Sequence, residues 1–142
     1  MKKKKDFTVK ITKNINYRQI FDLYRETGWI GTDEKFNKAS YKKLVDNSFC
    51  FAVVYIYGNI IGMGRAISDG ISDAYIQDVA VSRQFRGQGI GRKIIDVILN
   101  HLIKKKIKWI ALIAEPGTEA FYRKINFNIM KDFTPMKFRI NK

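Results

Sequence analysis

Apolar and polar residues follow two rhythms along this chain, and the switches between them outline its elements. Residues 7–11 read as a short opening strand. Over 15–27 the apolar side chains fall at Tyr17, Ile20, Phe21 and Tyr24, the spacing of one helix face, and Gly28 supplies a stop. A second helix is predicted over 33–46, with Thr32 as its N-cap and acids in its first turn. Residues 49–57 and 60–67 are β-rich runs separated by Gly58-Asn59, a two-residue hairpin signal. Ser68-Asp69-Gly70 breaks the chain, and 75–81 forms a strand that leads toward a glycine-dense stretch. Beyond it Ile90, Ile94, Ile98 and Leu102 recur at i+4, a core-facing stripe for a helix over 90–103. Residues 108–114 read as a buried strand, 118–124 as a short helix, and 127–130 and 136–140 as closing strands. The predicted order is βααβββαβαββ, an α/β (α+β) pattern without internal repeats.

The length of 142 residues suits one hydrophobic core, so a single domain over 1–142 is expected. Apolar residues make up 46% of the chain, yet no apolar run reaches a membrane span, and a soluble protein without a membrane partner is expected. The basic N-terminus leads into Asp6, Phe7 and Thr8 where a secretory signal would carry its apolar stretch. A cytoplasmic location is the expectation. Cys50, the only cysteine, sits among Phe49, Phe51, Ala52 and Val53 and reads as a buried core thiol. One cysteine allows neither an intrachain disulfide nor a cysteine-based zinc site. His101 lies one helical turn before Lys105 on a face that reads as solvated, and a lone histidine supports neither a metal site nor a triad. No metal is expected.

The net charge of +14 arises from 27 Lys and Arg against 13 Asp and Glu, which raises a nucleic-acid hypothesis. Its distribution argues otherwise. The lysines are scattered, apart from residues 2–5, read with 1–6 as a disordered basic tail, and 104–106, where a helix C-terminus favours cations. The positive field would draw in a polyanionic small molecule equally well.

The candidate chemistry centres on Arg86-Gly87-Gln88-Gly89-Ile90-Gly91, followed by Arg92 and Lys93, between a strand-like and a helix-like run. Glycines there let the backbone approach a ligand and aim the free N–H groups of the next helix at it, a geometry that binds phosphate. A Walker loop would need Gly-Lys-Ser/Thr, and a dinucleotide fingerprint a third glycine where Arg92 or Ile94 stands. What remains, Arg-x-x-Gly-x-Gly preceded by Asp78-Val79-Ala80-Val81, resembles the acetyl-CoA pyrophosphate loop of the GNAT superfamily of N-acetyltransferases. The element order is similar to the GNAT fold, a mixed, twisted central sheet with helices on both faces. Gly28-Trp29, Asn47-Ser48, Gly62-Met63-Gly64-Arg65-Ala66, Ser68-Asp69 and Gln77-Asp78-Val79-Ala80-Val81 further resemble the bacterial and plastid branch that includes plant serotonin N-acetyltransferases.

The resemblance implies acetyl-CoA as co-substrate, with pyrophosphate contacts at residues 86–93 and the pantetheine arm paired to the backbone at Val79 and Val81. It implies that Tyr122, in Glu119-Ala120-Phe121-Tyr122-Arg123-Lys124-Ile125-Asn126-Phe127, protonates the departing sulfur. An ordinary tyrosine is about 1.5 units weaker as an acid than a thiol, roughly 2 kcal/mol, which local tuning could supply. Family members usually carry glycine where Asn126 stands, and asparagine tolerates the same left-handed backbone.

A lysine-like amine is neutral only about once in several thousand molecules at pH 7, a cost of about 4–5 kcal/mol that a base must help meet. The candidates are Asp78, which alternation places on the apolar face of Ile76 and Ala80 where its pKa would rise, and Glu115, which ends a strand before Pro116-Gly117. Trp29 and Arg65 are candidates for the acceptor pocket. The reading is an N-acetyltransferase acting by direct attack in a ternary complex on a primary amine, either a small molecule or a lysine side chain. Rival readings are a protein or peptide lysine acetyltransferase and a non-catalytic CoA- or nucleic-acid-binding module on the same fold. A homodimer is left open.

Overall fold

The β-rich runs assemble into one five-stranded sheet of order β1-β2-β3-β4-β5. Its strands are β1 (Thr8–Ile11), β2 (Cys50–Ile56), β3 (Asn59–Ser68), β4 (Asp73–Val81) and β5 (Trp109–Ala111). The computed structural model describes residues 6–141, which divide into two compact units, 6–111 and 112–141; the whole sheet lies in the first. The basic run at 2–5 lies outside the described residues. Neighbours from β1 to β4 are antiparallel, and β5 joins β4 in parallel, so the sheet is mixed.

Three helices of the first unit, α1 (Tyr17–Glu26), α2 (Lys38–Asn47) and α3 (Ile90–Lys104), follow from apolar spacing and caps. Asn16 caps α1 by accepting from the Gln19 N–H, and α1 buries Ile20, Phe21, Leu23 and Tyr24. The second helix begins later than 33 and without Thr32 as cap. Asn37 accepts from the Ser40 N–H, and Phe36 packs against Phe21 and Tyr41, a contact that holds the preceding segment out of the helix. The hairpin also shifts by one residue. Ile56 pairs with Asn59, leaving Tyr57 and Gly58 in the turn at φ 49° and 78°, and the left-handed pair matches the twist of the strands.

β3 sits between the helical layers. Met63 joins Ile20, Leu23, Tyr24, Val45, Phe51 and Val53 in the core under α1 and α2. Gly62 and Gly64 point the other way, toward α3. A Cβ at Gly64 would stand 2.7 Å from Ile94 Cγ2 and 3.1 Å from Ile98 Cδ1, so the missing side chain is what lets α3 lie against the sheet. Cys50 is buried, as its neighbours predicted, and burial pushes its thiol up to about 11.

In the second unit, α4 (Glu119–Arg123) is followed by Asn126 at φ 69°, the left-handed turn expected of asparagine in a glycine position. The closing strands predicted at 127–130 and 136–140 are not formed. Asp132 is left-handed at φ 68°, Pro135 offers no N–H to a ladder, and Met136, Phe138 and Ile140 are exposed.

Candidate active site

The glycine turn is built at the end of β4. Residues Arg83–Phe85 form a single 3₁₀ turn, and Arg86 folds back so that its Nε donates to the Val81 carbonyl at 2.9 Å. Gly87 and Gly89 both have positive φ, 75° and 79°, and Gly89 is the left-handed N-cap of α3. No side chain caps that helix. Its first N–H groups have no acceptor within the helix. A Cβ at Gly87 or Gly89 would meet nothing within 4 Å, so the turn faces open space. Arg86, Arg92 and Lys93 are exposed around it, Arg92 within 3.9 Å of Asp96; Gln88 and Gly91 are half-buried, and Ile90 is buried in the α3 stripe. A cradle of backbone donors with cations at its rim fits a pyrophosphate.

β5 pairs with β4 only at Asp73, Ala74 and Tyr75. Past Tyr75, within this unit, β4 has no strand on its β5 side, which leaves main-chain edge groups along the stretch that holds Val79 and Val81. Such an edge can pair with an extended amide-bearing ligand.

Within that stretch β4 bulges. Met63 pairs with Ala80 and Arg65 with Gln77, so Asp78 and Val79 together oppose Gly64. Asp78 takes φ 55°, an uncommon conformation for a residue with a side chain. The bulge sends Ile76 and Ala80 to opposite faces, so the one apolar face predicted for Asp78 is not formed, and the carboxylate meets polar partners instead. Its Oδ2 accepts from Tyr24 Oη at 2.6 Å and from Arg65 Nε at 2.6 Å. The ion pair is largely withdrawn from water, the two side chains being 16% and 24% exposed. Oδ1 takes no hydrogen bond from another described residue. Arg65 spans further to Ser48 Oγ and Gln77 Oε1, both at 3.4 Å. Burial pushes the Tyr24 phenol well above the ordinary tyrosine range, and the Asp78 charge and hydrogen bond add to the rise, against Arg65. Tyr24 is therefore a fixed proton donor to the carboxylate. Trp29 follows α1 and packs its ring against Tyr24 at 5.8 Å.

The structure thus brings Asp78 and Arg65 together and adds Tyr24, which the periodicity predicts only as part of a helix face, and Ser48, which enters only through the resemblance at Asn47-Ser48. The signal for Tyr24 was a phenol on a buried stripe, since a buried hydroxyl needs a partner.

In the second unit the Tyr122 ring packs edge-on to Phe121 and Phe127 at 5.0 and 5.7 Å. Burial raises its phenol, and the Glu115 charge raises it further. The surroundings therefore widen the gap to a thiol that local tuning was expected to narrow. Thr118 donates from both its N–H and its hydroxyl to the Glu115 carbonyl, fixing the entry to α4.

Residues 47–129, a stretch holding the bulge, the glycine turn and Tyr122, match the family of the acetyltransferase (GNAT) domain. The chain belongs to the GNAT acetyltransferases. An uncharacterized N-acetyltransferase, ycf52, of Porphyra purpurea is 31% identical over 126 residues, 87% of this chain and 71% of the relative. A chloroplastic serotonin N-acetyltransferase 2 of rice is 35% identical over 75 residues, 53% of this chain and 38% of the relative. These relatives accord with a bacterial and plastid branch of the GNAT family. In fold, a GNAT-family acetyltransferase of Streptococcus pneumoniae superposes with a TM-score of 0.77 at 20% identity, covering 96% of this chain and all of the other. Among the described residues of this GNAT chain no helix is long and apolar enough to cross a membrane, and no three His, Cys, Asp or Glu side chains form a metal-holding group.

Proposed function

We propose that this GNAT protein is an N-acetyltransferase that moves the acetyl group of acetyl-CoA to a primary amine by direct attack in a ternary complex. The observation that carries the reading is the open, uncapped N-terminus of α3 behind Gly87 and Gly89, next to the edge of β4 that β5 leaves uncovered past Tyr75. Acetyl-CoA, when bound, supplies an acyl group activated on sulfur. The amides of residues 87–92 hold its pyrophosphate, with Arg86, Arg92 and Lys93 adding positive charge, and the backbone at Val79 and Val81 pairs with the pantetheine arm.

Asp78 is the first base. Arg65 and Tyr24 pin Oδ2, so Oδ1 is left to accept a hydrogen bond and then the proton of the amine. Glu115 acting through water is the alternative. Tyr122 holds at Oη the proton that the leaving sulfur takes, and because burial and the Glu115 charge raise its phenol, that transfer is more uphill than from an ordinary tyrosine and must be coupled to departure of the sulfur. Trp29 forms a wall of the acceptor site, while Arg65 serves it by orienting Asp78.

The test is thiol release from acetyl-CoA against a panel of arylalkylamines, polyamines and lysine peptides. Turnover with at least one amine supports the reading, and a preference for lysine peptides would assign the acceptor to proteins. CoA binding without turnover on any acceptor would return the chain to a non-catalytic CoA-binding role. A cytoplasmic or plastid compartment is compatible with this chemistry.

A further inference from the structure

Glu26 ends α1, a place where the helix dipole disfavours a carboxylate. What it bonds explains it. Its Oε1 accepts from the Arg83 N–H at 2.6 Å, and its two oxygens accept from Ser82 Oγ at 3.2 and 3.1 Å. Ser82 is the N-cap of the 3₁₀ turn but makes no capping bond with its own side chain. Glu26 caps that turn from 57 positions away. From there contiguous bonds run into the glycine motif: Phe85 N–H to the Ser82 carbonyl at 2.9 Å, Arg86 N–H to the Arg83 carbonyl at 3.4 Å, and Arg86 Nε to Val81. The orientation in which Gly87 leaves the turn is set by this chain of bonds.

We propose that Glu26 is a positioning residue for the CoA-binding turn, holding residues 82–86 so that the amides from Gly87 onward converge on the pyrophosphate. The inference rests on the acetyl-CoA reading above. Glu26 needs no contact with the ligand, because its carboxylate is occupied by Ser82 and Arg83. Two positions earlier Tyr24 holds Asp78, so the last turn of α1 anchors both the co-substrate turn and the carboxylate.

The experiment is calorimetric titration of CoA into the wild type, Glu26→Ala, Glu26→Gln and Ser82→Ala, with kcat, acetyl-CoA KM and melting curves alongside. A charged hydrogen bond translates into an expected loss of about ten-fold in CoA affinity for Glu26→Ala, with KM rising in step and kcat at saturation within about two-fold. Glu26→Gln keeps a neutral acceptor and should fall about three-fold, and Ser82→Ala, which retains the Arg83 bond, about two-fold. A role confined to stability would instead shift the melting temperature and leave KM alone. Wild-type CoA affinity in Glu26→Ala, or a loss in kcat alone, overturns the proposal. Should Glu26→Ala not fold, unchanged affinity in both Glu26→Gln and Ser82→Ala overturns it. A wild type that binds no CoA overturns the acetyl-CoA reading and this inference with it, whereas a wild type that binds beside an equally tight Glu26→Ala overturns the inference alone.

Discussion

Tyr24 and Asp78 stand 54 positions apart in the chain and meet phenol to carboxylate at 2.6 Å. Removing the donor in Tyr24→Phe should cost about 1.5–3 kcal/mol near neutral pH, the range for a hydrogen bond to a charged group. The pH dependence has a definite sign. Because the folded phenol is raised above its unfolded value, its contribution is complete below about pH 10 and is lost as pH climbs from there toward the folded value. Urea unfolding at a series of pH values should give a gap between wild type and Tyr24→Phe that is flat from neutrality to about pH 9 and narrows above pH 10. A gap that widens with pH would contradict the assignment.

Gly89 combines φ 79° with open space where a side chain would stand. Gly89→Val puts a β-branched side chain where L-residues are strained and where the proposed pyrophosphate contact would be made. CoA affinity should fall by at least about ten-fold, roughly 1.4 kcal/mol, in a protein whose circular dichroism still reports a fold. Calorimetry with an unaltered Kd would remove the turn from the co-substrate site.

At Gly64 the objection is steric on the protein side. Gly64→Ala drives a Cβ into Ile94 Cγ2, and overpacking of this kind costs about 1–3 kcal/mol. Chemical denaturation should show that loss, while Gly87→Ala, at an open position, should lose only what its left-handed backbone imposes, about 1 kcal/mol.

The two residues proposed for proton transfer should separate kinetically. Tyr122→Phe should lower kcat about a hundred-fold with CoA affinity within about two-fold, because the lost proton matters in the transition state. Asp78→Asn, which keeps the side-chain shape but cannot take up the amine proton, should lower kcat/KM about a hundred-fold. Near-full activity in Asp78→Asn would pass the base to Glu115 or to solvent.

Local signals in the sequence translated well. The i+4 isoleucines of α3, the glycines before them and the Asn126 turn each depend on neighbours in the chain, and each stands where its pattern predicts. What could not be read depends on distant partners. Thr32 and Asn37 are equally good caps by type, and Phe36 docking on Phe21 decides between them. Asp78 could be given a face only by assuming unbroken alternation, and its partner on α1 carried no sign beyond a phenol in an apolar stripe. The alternation at 136–140 is strand-like, but alternation does not supply a neighbour to pair with, and Asp132 and Pro135 interrupt the approach.

The bulge at Asp78 and Val79 gives β4 two reading frames. Before it, an even-numbered residue such as Ile76 lies opposite Ala66, on the face that Gly64 turns toward α3; after it, Ala80 lies opposite Met63, in the core beneath α1. One strand can therefore place residues of the same parity under helices on opposite sides of the sheet. The carboxylate stands at the frame shift itself, where neither layer of packing dictates its direction and Tyr24 and Arg65 are left to aim it.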